Sequence, residues 1–360
     1  MDALTNAFAD LQQWLFEALV QPLAFGLGLG NRLEDAYDAT GWLLVGLLQL
    51  IVLLAVIGPL QRWRPVETVT DRVTVRVDVL YTLIHRLGLF RLALFFTLTP
   101  LLDDLFGELR VAGLATFHLD DLWPGVTDQP LVSLLLYLVV FDFVDYWIHR
   151  GQHQFEWWWR LHALHHAQRQ MTMWSDNRNH LLDDLLRDVI VVGVAQLIGV
   201  APGQFVAIVA FTQLSESFQH ANLRLSFGRW GERLWISPRF HRLHHGIGIG
   251  HESPAKPNKE TMSAAGPSQG AKAPSPSEAQ GKPARGGSED TPVPSVGSVK
   301  LGGHNFGVLL PWWDVLFGTA NFEQRYDPTG VRDQVEQGRD YGRGFWSQQW
   351  LGLKRLVGRA

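Results

Sequence analysis

Ten of the 14 histidines in this 360-residue chain fall between residues 149 and 245, and they are regularly spaced. His149 and His153 lie four apart; His162, His165 and His166 form His-x-x-His-His, and His241, His244 and His245 repeat it. Residues at i, i+3 and i+4 share one face of a helix. Each cluster therefore aims two or three imidazoles in one direction, and one such helix offers ligands to one or two metal ions. Without a ligand to share, eight buried imidazoles would be hard to satisfy by hydrogen bonding. The chain has no cysteine, which removes disulfides, thiolate metal sites, iron–sulfur clusters and a cysteine nucleophile. Any metal must be held by His, Asp or Glu. Isolated histidines such as His85 and His118 are read as structural.

Apolar segments must position these clusters. Charged residues make up 18% of the chain against a usual figure of about 25%, and the apolar ones gather into long runs. Residues 42–60, WLLVGLLQLIVLLAVIGPL, carry no charge and approach the roughly 20 residues needed to cross a bilayer core. A second span is expected over residues 79–99, interrupted by His85, Arg86 and Arg91, and a third over 131–148, with Asp142 and Asp145 near its end. Residues 189–214 are apolar but broken by Ala201-Pro202-Gly203, which predicts a tight helical hairpin that dips in and returns. Residues 2–25 read as an amphipathic segment at the interface. The opening MDALTNAFAD lacks the basic start of a cleaved signal peptide, so the N-terminus is expected to be retained.

Arg62, Arg64, Arg72 and Arg76 follow the first span, whereas Asp103, Asp104, Glu108, Asp120 and Asp121 follow the second. Counting basic residues places the first of these segments in the cytoplasm, and all the histidine clusters then share that face. The net charge of −4 comes with no basic face or segment, so nucleic acid is not an expected partner. Residues 253–300 are rich in Pro, Ser, Gly, Ala and Lys and contain no aromatic residue. Such a stretch buries too little apolar surface to offset its ordering entropy and is expected to be a disordered insertion. The expected organisation is an N-terminal interfacial segment (1–41), two spans and a loop (42–130) and a histidine-bearing core (131–252). The insertion (253–300), the end of the core (301–322) and a C-terminal tail (323–360) follow. The fold class is all-α: an integral membrane helical bundle with a cytoplasmic helical cap carrying a histidine-rich di-metal site.

The order DYWIHRGQH (145–153), LHALHH (161–166), HRLHH (241–245) and NFGVLLPWWDVLFGT (305–319) resembles the fatty acid hydroxylase and sterol desaturase superfamily of membrane di-iron oxygenases. The resemblance covers about residues 131–322 apart from the insertion. It implies His149, His153, His162, His165, His166, His241, His244 and His245 as metal ligands, with His220 where the family has a further histidine. Glu216 stands where some relatives carry another histidine, on the same helix face as His220, and is expected to bind metal directly or through water. His180 and His304 fall in regions the family places near the site.

Neutral imidazoles suit iron, zinc, copper or nickel, so ligand type leaves the metal open. Nine nitrogens exceed the needs of one four-coordinate zinc and fit two metals; the resemblance supplies iron, with dioxygen as co-substrate and an external electron donor. A lipid-like substrate such as a fatty acyl chain or sterol would enter from the bilayer, and an unidentified redox partner would deliver electrons. Hydroxylation and desaturation both remain open, as do a metal-dependent hydrolase or isomerase on the same scaffold and a membrane haem protein. Asp145, one turn before His149, is expected to accept that ring's unused N–H. Asp314 is expected to tie the C-terminal segment to the metal-bearing helices. Trp157, Trp158, Trp159, Trp312 and Trp313 read as an interfacial belt.

The orientation is tested by reporter fusions at Gly266 and Gly113. Opposite signals are expected, with Gly266 cytoplasmic, and matching signals refute the arrangement.

Overall fold

A computed structural model describes residues 2–248 and 303–359, so the insertion expected over 253–300 lies outside the described residues. No strand occurs among the described residues, which hold helices and one isolated antiparallel bridge between Gly246 and Thr329. The helices used below are α1 (Asp2–Leu15), α2 (Leu33–Val52), α3 (Gly58–Trp63), α4 (Arg72–Arg86), α5 (Leu89–Val111) and α6 (Pro130–Gln154). After them come α7 (Glu156–His166), α8 (Leu181–Ile198), α9 (Pro202–Gln219), α10 (Pro238–His244), α11 (Trp312–Leu316) and α12 (Phe345–Leu356).

Two helices among the described residues are long and apolar enough to cross a membrane: Gly30–Trp63, which runs from α2 through a π turn into α3, and α6. Both turn large apolar side chains outward, Ile51 and Leu54 on the first and Leu131 and Leu135 on the second. A water-soluble core helix would bury them. α1 packs along α2, and Trp14, Leu23 and Phe25 in the N-terminal segment are exposed.

The span expected over residues 79–99 is not one helix. Gly88, at φ 75°, breaks the chain between α4 and α5, in the left-handed region that glycine enters without a Cβ clash. The polar side chains explain the break. Buried Arg86 donates to Gln49 Oε1 at 3.2 Å, Asp176 Oδ2 at 3.2 Å and Ser217 Oγ at 2.9 Å, while buried Asp78 pairs with Arg178. α4 thus belongs to a polar interior rather than to hydrocarbon. At its closest approach to α2, a Cβ on Gly46 would fall 1.5 Å from the Arg86 carbonyl oxygen. Only glycine fits there.

The break at Ala201-Pro202 appears where it was expected, with Gly199 left-handed at φ 64°. The two arms, however, are 18 residues each, or about 27 Å, longer than the apolar stretch suggested. His180 caps the first arm: its Nδ1 accepts from the Leu182 amide at 3.1 Å. Both arms pack on α6. The hairpin tip meets the loop before α6, since the Phe117 amide donates to Leu197 O at 2.8 Å and the Tyr137 hydroxyl to Ile198 O at 3.1 Å. Tyr137 lies twelve residues before His149, about 18 Å along the helix, so tip and loop mark the end of the bundle away from the histidines. Residues after 323 are part of the packing: α12 lies on α7, with Arg160 donating to Leu356 O at 3.3 Å.

The flanks of the insertion are adjacent, because His244 Nδ1 donates to the His304 carbonyl at 2.8 Å. Replacing residues 254–299 by a few Gly/Ser residues is therefore expected to keep bound metal and to change stability by only about 1–2 kcal/mol. Metal analysis and thermal unfolding of the shortened protein check this; loss of metal would show that the stretch belongs to the fold.

Candidate metal centre

Four chain segments bring their histidines to one end of the bundle. His149 and His153 occupy the last turns of α6, and an extended residue, Phe155, turns the chain sharply into α7, which carries His162, His165 and His166. His220 ends α9. His241 and His244 lie on α10 and His245 closes it. α10 has only seven residues, yet it is firmly set. Ser237 accepts from the Phe240 amide at 3.1 Å, Pro238 follows it, and Arg239 pairs with buried Glu232, a strong N-terminal stop.

The rings form groups in which one nitrogen of each residue lies within 4.8 Å of the others: His149, His153, His162 and His166; His165, His220, His241 and His245; and His166, His244 and His245. In four rings the orientation is fixed from outside the groups. His149 Nδ1 donates to Phe306 O at 2.9 Å, His162 Nδ1 to Asp183 Oδ2 at 3.0 Å, His220 Nδ1 to Glu216 O at 2.8 Å and His244 Nδ1 to His304 O at 2.8 Å. The acceptors are carbonyls or a carboxylate, so each Nδ1 carries the proton and each Nε2 keeps its lone pair. Nε2 of His162, His166 and His244 is buried with no hydrogen-bond partner. Burial, followed by the neighbouring imidazoles, holds His165, His166, His241, His244 and His245 well below the ordinary histidine range.

In the second group, Nε2 of His220 lies 3.1 Å from Nε2 of both His165 and His241, and Nε2 of His241 lies 3.1 Å from that of His245. Nitrogens about 2.1 Å from a common metal sit roughly 3.0–3.4 Å apart around it. The residues present therefore fit a metal ion, and the first group offers a second set of four.

Asp183, which the sequence reading did not single out, organises the first group. Its buried carboxylate accepts from Gln152 Nε2 at 2.8 Å, Trp158 Nε1 at 2.6 Å and His162 Nδ1 at 3.0 Å. Asp145 does not take the expected place beside His149: its carboxylate pairs with Arg187 at 3.0 Å, and the His149 Nδ1 proton goes to Phe306 O instead. The Glu216 side chain stands outside the nitrogen groups, 4.0 Å from Arg187, and only its carbonyl touches His220. The His180 ring is likewise spent elsewhere, its Nε2 donating to Gln349 O at 2.9 Å. His304 contributes its carbonyl while its ring faces Asn321 at 3.4 Å.

The strap that supplies the Phe306 and His304 carbonyls is held by two buried aspartates. Asp142 accepts from the amides of Leu309 and Leu310 and from Trp313 Nε1 at 2.7–3.2 Å. Asp314 accepts from the amides of Phe306 and Gly307, both at 2.8 Å, and from Thr319 Oγ1 at 2.6 Å. Asp314 thus folds the strap on itself, and Asp142 makes the tie to the helix that was expected of Asp314. Nor do the tryptophans form one interfacial belt. Trp158 and Trp159 are buried, the latter with ring centroids 5.0 Å from His153 and 5.2 Å from His166, whereas Trp157 and Trp312 remain exposed.

Residues 134–251, which contain all nine of these histidines, match the fatty acid hydroxylase family. The ornithine lipid hydroxylase OlsE of Rhizobium tropici is 27% identical over 204 residues, covering 57% of this chain and 59% of that protein. The alignment thus spans about three fifths of that relative. No solved structure matches the chain. The stretch that carries the histidine motifs is thus similar to the fatty acid hydroxylase family, as the motif resemblance implied.

Proposed function

We propose that this protein is a multi-pass membrane lipid hydroxylase that holds two iron ions on its histidines, with the site on the cytoplasmic side. The observation that carries the reading is the pair of buried four-imidazole groups at one end of the bundle. His149, His153, His162 and His166 would hold one ion, and His165, His220, His241 and His245 the other, with His244 beside His166 and His245. A bound iron pair supplies the reduction of dioxygen and the removal of hydrogen from an unactivated C–H bond, which no side chain performs. The balance is one C–H bond, one dioxygen, two electrons and two protons in, and one C–OH group and one water out. The electrons come from an external donor. The name of the OlsE relative favours hydroxylation over desaturation and a lipid as substrate.

The chain's own contribution is placement. Asp183 keeps the proton on His162 Nδ1, and the strap carbonyls do the same for His149 and His244, so the Nε2 lone pairs face inward before metal arrives. Buried apolar rings, Trp159 and Phe306 among them, cover the first group and limit its access to water.

Purified protein is expected to carry about two transition-metal ions per chain, iron in the active form, and to need both dioxygen and reductant. His165→Ala and His244→Ala should each abolish activity and lower metal content; full activity in either variant, or turnover without dioxygen, sinks the di-iron reading. Asp183→Asn keeps an oxygen for Gln152 and Trp158 but puts an amide donor where His162 Nδ1 needs an acceptor, and is expected to weaken metal binding by about 10–100-fold. Metal titration of the folded variant measures this, and unchanged affinity would mean that His162 does not depend on Asp183.

A further inference from the structure

At the histidine end of the bundle, each long apolar helix carries an exposed tryptophan beside an arginine. Arg64 lies 5.9 Å from the ring centre of Trp63, and Arg150 lies 5.2 Å from that of Trp147. Gln61, two residues before Trp63, accepts from the Asn222 amide at 3.3 Å, beside His220. Indoles collect where hydrocarbon meets headgroups, so the two pairs mark the level of that boundary. α12 lies at the same level. His180 Nε2 donates to Gln349 O and the Leu181 amide to Gln349 Oε1, both at 2.9 Å, while Asp183 accepts from Gln152 in the last turn of α6. The contact is close, since a Cβ on Gly352 would fall 2.2 Å from the His180 ring. Gln348, Gln349, Gly352 and Arg355 are buried on this inner side. Trp346, Trp350, Leu353 and Val357 recur at i, i+4, i+7 and i+11, which is one face, and all four are exposed, Trp346 by 79%. Lys354 stands at the edge of the stripe with its Nζ 5.7 Å from the Trp350 ring centre, and Arg343 and Arg359 are exposed just beyond the two ends of the helix. No acidic residue follows Asp340.

We infer that α12 is a surface anchor that lies along the headgroup layer of the membrane, with its tryptophan stripe in the lipid and its cations against anionic headgroups. The inference rests on the membrane location proposed above and not on the chemistry of the histidines. Left in water, the stripe is a continuous apolar patch on a helix whose other side is already packed. A helix with a tryptophan-rich face and basic flanks lies in the interface plane, and an anionic leaflet favours each nearby Lys or Arg by about fivefold in binding. The tryptophan–arginine pairs on the two long helices put that layer at the height of α12. A second copy of the chain is the poorer occupant. Stripe paired with stripe would gather Arg343, Lys354 and Arg359 of both copies, with no carboxylate on the helix to offset them.

The chain has no cysteine, so a single nitroxide can be placed at Val357→Cys in the full-length, metal-loaded protein. The protein is reconstituted in nanodiscs of phosphatidylcholine with or without phosphatidylglycerol. Collisions of the label with oxygen, which concentrates in lipid, are compared with collisions with a neutral nickel chelate, which stays in water. The oxygen-to-nickel ratio is expected to be about threefold or more higher in the anionic discs. Arg343→Gln, Lys354→Gln and Arg359→Gln together should remove that rise while metal content is kept. A label equally open to the nickel chelate in both discs overturns the inference, and so does equal immersion in both, which would deny the cations a part. A fixed dipolar distance between labels in discs that hold two copies also overturns it, because a second chain then covers the stripe. A label at Leu135→Cys, on the exposed face of α6, reports on the span itself. If that label meets the nickel chelate, the membrane-spanning reading fails too; if it stays in lipid while Val357→Cys does not, only the anchor is lost.

Discussion

An imidazole presents a metal-directed lone pair from one nitrogen only when the proton is held on the other, and the rest of this site depends on how that proton is held. Four rings give their Nδ1 proton to an acceptor that lies outside the clusters: the carbonyls of Phe306, His304 and Glu216 and the carboxylate of Asp183. Water would exchange such protons freely between the two nitrogens. Buried acceptors at 2.8–3.0 Å do not, and they aim Nε2 inward in the absence of any added ligand. Two of the four come from one strap, so the fold of residues 304–314 bears directly on rings 60 and 157 residues earlier in the chain.

That strap is irregular backbone in a buried place, which is stable only if its polar groups are paired. Asp142 and Asp314 do most of the pairing, each accepting two strap amides. Asn305 adds to it from the left-handed conformation at φ 60°, which asparagine tolerates better than most residues. Its side chain donates to Phe240 O on α10 and to Asn321 O, both at 3.0 Å. The strap is thereby locked to the helix that carries His241 and His244. A carboxylate buried near the end of an apolar helix, which looks costly in isolation, here replaces water as the partner of backbone amides.

What the sequence disclosed follows from the range of each interaction. Helical spacing within a cluster is local, so His-x-x-His-His and its repeat were legible, as were the long apolar helices and the break at Ala201-Pro202. The acceptors were not. Asp183 lies 21 residues from His162 and Phe306 lies 157 from His149, and no period links them. Proximity along the helix favoured Asp145 as the partner of His149, but the carboxylate is taken by Arg187 from α8. The same competition removed the span expected over residues 79–99. Its apolar content is real, yet buried partners of Arg86 and Asp78 hold α4 in a polar interior, and Gly88 lets the chain turn away. His180 was read as lying near the site, but its ring caps α8 and secures Gln349 instead of facing the cluster.

Membrane and site impose opposite demands on α6. Its outer face carries Leu131 and Leu135 into an apolar environment, while Asp142, Asp145, His149 and His153 are buried along the part that approaches the site. One helix can meet both demands because its charged and histidine residues occupy the last four turns, where the hairpin arms, the strap and α7 surround it. Ion pairing with Arg187 and amide bonds to the strap satisfy the two carboxylates before the histidines begin. The position of the histidine groups is then fixed by solvation. It lies where α6 leaves apolar surroundings and the chain can supply enough polar partners for nine imidazoles, and an apolar cavity ends at that same boundary.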